Sequence, residues 1–133
     1  MITWGTLPED ALPITARVPA GVNVVRAMPN TPARIGLGLT GVSAAPGCTD
    51  TALAAAVDLL RSVGTVVVVP EAQQDALTAT SGSGPAYLFL LAEAMLEGAI
   101  GQGIDPATAD TMVRQTLLGA ASLLSSATDD PAT

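Results

Sequence analysis

The chain changes character at residues 65–70, which read Thr65-Val66-Val67-Val68-Val69-Pro70. Five successive β-branched residues predict a strand over 65–69, and Pro70 ends it because proline has no N–H for a sheet ladder. An unbroken apolar run is typical of a strand that is buried on both faces, as in a sheet covered by helices. The residues before this run mix strand and helix patterns, whereas the residues after it are helical in pattern.

The residues ahead of the valine run predict two further strands. Residues 1–20 contain three prolines and little periodicity, so they predict an irregular lead-in with at most one helical turn. A β-branched run predicts a strand over 22–28 that is stopped by Pro29. After a turn, an apolar run that is interrupted by glycines predicts the second strand over 37–44.

A helix is predicted between the second strand and the valine run. Thr49 or Asp50 is suited to cap its start, and Gly64 is suited to cap its end. Leu53 and Leu60, with Ala56 and Val57 between them, recur at the spacing of one helix face. The sequence therefore predicts the order strand, strand, helix, strand, which belongs to an α/β layer.

The second half of the sequence is helical in pattern. A short helix is predicted over 71–80, and the serines and glycines of 81–84 predict a break after it. The next helix, at about 85–101, is apolar on almost every side, which predicts a central helix. Asp105 is suited to cap a last helix that has Pro106 at its first position.

These patterns predict an α/β fold followed by an all-α part. The boundary is placed near Pro70, which gives a first domain over 1–70 and a second over 71–133. Three strands and two long apolar helices cannot cover all of their own apolar surface. The missing neighbours are expected from another chain or from a larger protein.

Composition excludes several classes of function. The 133 residues carry a net charge of −7, and all five basic residues are arginines scattered along the chain. The basic stripe that nucleic acids or anionic membranes require is therefore missing. The sequence contains no histidine or lysine, so imidazole proton transfer, His-ligated metal and Schiff-base chemistry are excluded. Cys48 is the single cysteine, which excludes an internal disulfide and a thiolate metal site.

The same features predict a cytoplasmic protein. The first residues lack the basic and apolar regions of a signal peptide. The longest apolar run, over 85–95, is interrupted by an acidic residue and is too short to span a membrane.

Two loops carry the candidate site. Ser81-Gly82-Ser83-Gly84-Pro85-Ala86-Tyr87 combines hydroxyls, close-approach glycines and the N–H groups of a helix start, although it also fits a plain turn between helices. Arg26-Ala27-Met28-Pro29-Asn30-Thr31-Pro32 follows a predicted strand end, where ligands of α/β sheets bind, but it also fits a simple turn. Glu93 and Glu97 could form an acid–base pair, but a solvated or interface stripe is the favoured interpretation.

Together the two loops resemble the pyrroline-5-carboxylate reductase family. The resemblance is carried by Val25-Arg26-Ala27-Met28-Pro29-Asn30-Thr31-Pro32 and by Thr78-Ala79-Thr80-Ser81-Gly82-Ser83-Gly84-Pro85-Ala86-Tyr87, with the glycine-rich strand and the valine run between them. It covers about residues 14–133. Either motif alone would not be specific, but the pair and its spacing are.

The resemblance implies a two-part fold and a reductase activity. It implies the terminal part of a Rossmann-like domain that binds NADPH or NADH, followed by part of a helical domain that pairs with a second copy. The implied reaction reduces 1-pyrroline-5-carboxylate to L-proline in proline biosynthesis. The implied cofactor-binding residues are Met28, Pro29 and Asn30. The implied substrate-binding residues are Ser81, Gly82, Ser83, Gly84 and Pro85. No catalytic residue and no metal ligand is implied.

The sequence also departs from the family. The glycine-rich turn that holds the cofactor pyrophosphate, and the later loop that holds the substrate carboxylate, are not found in these 133 residues. A partial reductase is therefore predicted, with little activity expected of the chain alone. A non-catalytic helical association module derived from the family is the alternative, and another two-domain dehydrogenase with a different small substrate is a third interpretation.

Overall fold

The computed structural model describes residues 2–3 and 14–126. The chain divides into two compact units, Met1–Pro85 and Ala86–Thr133, and each is described by itself. Much of the predicted lead-in and the tail after residue 126 lie outside the described residues. Within the lead-in, the structure has a short strand at Ile2–Thr3 and one 3₁₀ turn at Ile14–Arg17.

The first unit is built on a four-stranded sheet with the strands in sequence order. The strands are β1 (Ile2–Thr3), β2 (Val25–Pro29), β3 (Gly38–Ala44) and β4 (Gly64–Val68). β2 runs parallel to β1 and antiparallel to β3, and β4 runs parallel to β3. β1 was not predicted, because two residues are too few to show a strand pattern.

The predicted strand over 22–28 was placed too early. β2 begins at Val25 and includes Pro29, which pairs with Thr40 as the last residue of the ladder. A proline is accepted there because a terminal position does not need the missing N–H. The strand predicted over 37–44 is confirmed within one residue by β3.

Helix α1 (Asp50–Leu60) covers one face of the sheet. The hydroxyl of Thr49 caps it by accepting a hydrogen bond of 3.3 Å from the N–H of Ala52, as the sequence predicts. A 3₁₀ turn follows the helix, so Gly64 starts β4 instead of capping α1. The core between α1 and the sheet consists of Val25, Ala27, Val42 and Ala56, with Leu53, Val57, Leu60 and Val66 packed around them.

The other face of the sheet is covered by residues 71–82, which we call the covering segment. It is one 3₁₀ turn (Glu71–Gln73), one α-helical turn, α2 (Gln74–Leu77), and one π-helical turn (Thr78–Gly82). The helix predicted over 71–80 is thus confirmed in position but is irregular and runs two residues further. Leu77 packs so closely on β3 that a Cβ at Gly41 would lie 2.2 Å from its Cδ1 atom.

The prediction that the valine run is buried on both faces is wrong for this chain. Val66 packs against the core, but the side chain of Val68 is 57% exposed. Within the described part of the chain, β4 is the last strand of the sheet, with β3 beside it, and the residues that pack on the sheet leave Val68 uncovered at this margin.

The second unit contains the long helices. α3 (Gly84–Gly101) starts in the first unit and continues through the second, and α4 (Pro106–Ser126) follows it. The Asp105 carboxylate accepts a 3.1 Å hydrogen bond from the N–H of Thr108 and thereby caps α4, as predicted. α3 starts one residue earlier than predicted. The α/β unit followed by helices confirms the predicted fold class.

The helices of the second unit leave apolar surface exposed, as the sequence predicts for helices without neighbours. No residue of α3 is buried within the chain, and Phe89 and Leu90 are each about two-thirds exposed. On α4, Ala109 and Val113 are buried, whereas Leu123 is exposed. None of the described helices meets the length and hydropathy needed to cross a membrane.

Candidate functional site

The loop after β2 is closed by the side chain of Asn30. Residues Thr31–Ile35 form a 3₁₀ turn that reverses the chain between β2 and β3. The Oδ1 atom of Asn30 accepts a hydrogen bond of 2.9 Å from the N–H of Leu39, the second residue of β3. The Asn30 side chain therefore fixes the path of this loop from both ends.

The same side chain joins the two sequence motifs. Its Nδ2 atom donates to the carbonyl oxygen of Ser81 at 3.2 Å and to the Ser81 hydroxyl oxygen at 3.3 Å. Asn30 and Ser81 are 51 residues apart in the sequence. Both residues are partly buried, so these hydrogen bonds are sheltered from water.

Met28 and Gly82 meet beside this link. A Cβ placed on Gly82 would lie 3.1 Å from the Cε atom of Met28. Pro29, between Met28 and Asn30, is held in the β2–β3 ladder. The predicted cofactor residues thus lie next to the first two of the predicted substrate residues.

The remaining predicted residues start helix α3. The N–H of Ser83 donates at 2.8 Å to the carbonyl of Thr78 and closes the π-helical turn. The predicted break over 81–84 is therefore confined to Ser83, between the turn and the helix. Gly84 is the first residue of α3 and Pro85 the second, and a Cβ on Gly84 would meet no atom within 4 Å. The close approach in this motif is at Gly82.

A cleft of about 460 Å³ opens beside Ser81 in the first unit. Its walls come from the start of β3, the residue after β4 and the covering segment. The apolar side chains are those of Leu39, Val69, Ala76 and Leu77. The polar residues that line it are Gln73, Thr80 and Ser81. The cleft is open to solvent, and its lining is mostly apolar with a few hydrogen-bonding groups.

A buried polar network behind the cleft was not predicted. Gln74 is fully buried, and its Nε2 atom donates to the hydroxyl of Ser43 at 2.7 Å. The Ser43 hydroxyl donates in turn to the carbonyl of Val69 at 2.7 Å. The Oε1 atom of Gln74 has no hydrogen-bond partner among the described residues. A serine at an inward-facing strand position was the signal that could have indicated this network.

An ion pair forms the other attachment of the covering segment. The guanidinium of Arg26 on β2 contacts the carboxylate of Glu71, with the arginine side chain largely buried and the glutamate exposed. Glu93 and Glu97 are exposed on α3, which agrees with a solvated or interface stripe.

Comparison with known proteins identifies the family. Residues 71–133 match the family model described as pyrroline-5-carboxylate reductase dimerisation. The chain is 44% identical over 109 residues to the pyrroline-5-carboxylate reductase of Mycobacterium tuberculosis, a match that covers 82% of this chain and 37% of that protein. The chain belongs to the pyrroline-5-carboxylate reductase family. It spans about two-fifths of the length of the curated reductases that it matches.

Other pyrroline-5-carboxylate reductases give the same result. Identity is 43% over 109 residues with the Synechocystis enzyme, covering 82% of this chain and 41% of that protein. It is 45% over 112 residues with the Haemophilus influenzae enzyme, covering 84% and 41% respectively.

Solved structures of pyrroline-5-carboxylate reductases share the fold. The Coxiella burnetii reductase superposes with a TM-score of 0.80 at 37% identity, over 88% of this chain and 44% of that one. The Streptococcus pyogenes reductase gives a TM-score of 0.82 at 31% identity, over 89% and 46%. The Plasmodium falciparum reductase, solved with NADP bound, gives 0.79 at 26% identity, over 87% and 47%. These neighbours confirm the predicted Rossmann part followed by a helical dimerisation part.

Proposed function

We propose that the chain forms part of an NAD(P)H-dependent reductase that converts 1-pyrroline-5-carboxylate to L-proline in proline biosynthesis. The observation that carries the proposal is the hydrogen-bonded link between Asn30 and Ser81. It brings the two motifs of the family together at the edge of one cleft. The family membership and the NADP bound to the Plasmodium falciparum relative support it.

The described residues fit the nicotinamide end of such a cofactor. The cleft has apolar walls for a flat ring, and Ser81 and Thr80 offer hydroxyl groups to its polar substituents. Met28, Pro29 and Asn30 are proposed to lie on the cofactor side of this space. Residues 81–85, up to the start of α3, are proposed to lie on the substrate side.

The chemistry fits a chain without histidine or lysine. When bound, the reduced cofactor supplies a hydride from C4 of its nicotinamide to the imine carbon of the substrate. A protonated imine is already electrophilic, so the protein's main contribution is to hold the two reactants in a reactive orientation and to limit water. The rigid placement of Asn30, Ser81 and Gly82 serves that orientation.

We propose the matching division of the chain: residues 1–70 as the terminal part of the cofactor domain and 71–133 as the first part of the dimerisation domain. The range 71–133 agrees with the range of residues that match the family model. The compact units divide later, after Pro85, because the covering segment packs on the sheet.

A homodimer or higher homo-oligomer is proposed, since apolar side chains of α3 and α4 are exposed in the single chain. The cytoplasmic location stays a prediction.

The proposal is tested by enzyme assay. The purified chain is mixed with 1-pyrroline-5-carboxylate and NADPH or NADH, and cofactor oxidation is followed beside the Mycobacterium tuberculosis reductase. Since little turnover is expected of the chain alone, NADPH binding to the chain is measured in parallel. Turnover or NADPH binding that is lost on Ser81→Ala or Gly82→Val supports the site, whereas turnover or binding that survives both changes contradicts the assignment of the cleft.

A non-catalytic association module is the second candidate. Two observations favour it: the family match covers the dimerisation part, and no residue of α3 is buried in the single chain. Such a module forms dimers but binds no nicotinamide cofactor. Sedimentation with a parallel NADPH titration separates the two candidates, because the reductase proposal requires binding and the module does not.

A further inference from the structure

The amide of Asn30 is already used inside the protein. Its Oδ1 atom accepts from the N–H of Leu39 at 2.9 Å. Its Nδ2 atom donates to both oxygens of Ser81, at 3.2 Å and 3.3 Å. With its donor and acceptor atoms engaged in this way, the side chain is poorly placed to bind a ligand as well. Its contribution to a site therefore passes through Ser81.

The donor direction determines where the proton of the Ser81 hydroxyl points. A hydroxyl has one proton to donate and two lone pairs that accept. Since Nδ2 of Asn30 carries only protons, it occupies a lone pair of the Ser81 oxygen and leaves the Ser81 proton directed elsewhere. The Ser81 hydroxyl can therefore donate its proton to a group other than Asn30.

Ser81 differs in this respect from other helical hydroxyls of the chain. Thr78 donates to the carbonyl of Gln74 four residues earlier, at 2.8 Å. Thr111 and Ser122 likewise donate to carbonyls four residues earlier, at 3.0 Å and 2.7 Å. Among the described residues, Ser81 makes no such hydrogen bond to the carbonyl of Leu77, and it lines the cleft. Its proton is therefore available to a ligand.

We propose that Asn30 is a positioning residue that holds the Ser81 hydroxyl as a hydrogen-bond donor into the cleft, toward an acceptor oxygen of a carboxamide or carboxylate group. The inference rests on the proposed function for the identity of the ligand. A carboxamide would come from the nicotinamide cofactor, and a carboxylate would come from the substrate or from L-proline. Asn30 itself touches neither group.

The discriminating variant is Asn30→Asp. The aspartate keeps an oxygen that accepts from the N–H of Leu39, but it replaces the donor facing Ser81 with a second acceptor. The Ser81 hydroxyl then donates to this carboxylate, and its proton turns away from the cleft.

The experiment is a titration of the ¹⁵N-labelled chain with NADPH, and separately with L-proline, followed by NMR at neutral pH. Asn30→Asp is expected to weaken binding of the responding ligand about tenfold, which corresponds to one lost hydrogen bond. Ser81→Ala should show a similar loss, and Asn30→Asp should cause no further loss when residue 81 is already alanine, because Asn30 acts through the Ser81 hydroxyl. Ser62→Ala, which removes an exposed hydroxyl bonded to the carbonyl of Leu59, should bind as the unchanged chain does.

The outcomes separate the two proposals. The probe whose affinity responds identifies the source of the acceptor oxygen. Equal affinity of Asn30→Asp and the unchanged chain, or a further loss caused by Asn30→Asp in the Ser81→Ala background, overturns the positioning role. If neither probe binds the unchanged chain, the proposed function fails. The link is then judged without ligand: Ser81→Ala must speed hydrogen exchange of the Asn30 side-chain amide, and unchanged exchange also overturns the inference.

Discussion

Gly41→Ala should disturb the packing of Leu77, and with it the covering segment, on the sheet. Gly41 lies in the middle of β3, and a Cβ there would stand 2.2 Å from Cδ1 and 2.7 Å from Cδ2 of Leu77. Carbon atoms in contact need about 3.5 Å or more, so the leucine must rotate or the segment must move. Leu77 also lines the cleft, so a rotated side chain enters the space proposed for the ligand.

The size of the effect follows from two opposing terms. Overpacking by one methyl group costs about 1–3 kcal/mol. Replacing a strand glycine by alanine raises the free energy of unfolding by about 0.5–1 kcal/mol, because it lowers the conformational entropy of the unfolded chain. The net expectation is a loss of about 1–2 kcal/mol in the free energy of unfolding.

Leu77→Ala provides the internal test, because it removes the methyl groups that the new Cβ would meet. In that background, Gly41→Ala should be neutral or should stabilise the chain by about 0.5 kcal/mol. The coupling between the two changes is then about 2 kcal/mol, which urea denaturation followed by circular dichroism can resolve. Gly98→Ala, at a helix position with nothing within 4 Å of the added Cβ, is the control and should not depend on Leu77. Strictly additive effects of Gly41→Ala and Leu77→Ala would refute the packing argument.

Three further changes test other parts of the structure. Gln74→Leu should cost about 2 kcal/mol less than Gln74→Ala, because both remove the unpaired carbonyl oxygen but only the leucine fills the buried space; equal losses in urea denaturation would contradict this. Hydrogen bonds from the side chain and then the backbone of Thr108 lower the pKa of Asp105 below its ordinary value. The stabilising effect of this cap is therefore complete above the ordinary aspartate pKa range, and it is lost as the pH falls through the lowered pKa. Acid should therefore reduce the helicity of the unchanged chain more than the helicity of Asp105→Asn. Gly84→Val should leave thermal unfolding nearly unchanged, since nothing lies within 4 Å of the added Cβ. The equivalent change in an active relative should abolish turnover, because the valine would fill space proposed for the substrate; a fully active variant would remove Gly84 from the site.

Local patterns were enough to predict most of the elements. The Thr49 and Asp105 caps are both confirmed, because a capping side chain and the first turn of its helix are neighbours in sequence. The burial of the valine run was predicted wrongly for the opposite reason. Whether β4 has a neighbouring strand on its outer side depends on the order of strands in the sheet. Strand order cannot be deduced from the residues of one strand.

In the site, too, the features that depend on neighbouring residues in the sequence were predicted, whereas the contacts between distant residues were not. Its residues were found as two separate loops, and a motif can be recognised without knowing what it touches. Asn30 was assigned to the cofactor by the family resemblance, and that assignment stays a prediction. The structure adds that its side chain holds Ser81, a contact across 51 residues that periodicity does not encode. The network of Ser43 and Gln74 was missed because the position of Ser43 on a buried strand does not show which residue it bonds to, 31 residues away.

The covering segment explains why the bound of the family match and the bound of the compact unit differ. The family match starts at residue 71, but the first compact unit extends to Pro85. Along the segment, Glu71 pairs with β2, Gln74 bonds to β3, Leu77 packs on β3, and Ser81 bonds to the loop between them. These attachments are spaced three to four residues apart, which is the spacing of one helical face. A segment that is part of the dimerisation family by sequence is therefore part of the sheet unit by contact. Its last attachment is the one that orients Ser81, so the geometry of the cleft depends on how firmly the preceding three attachments hold.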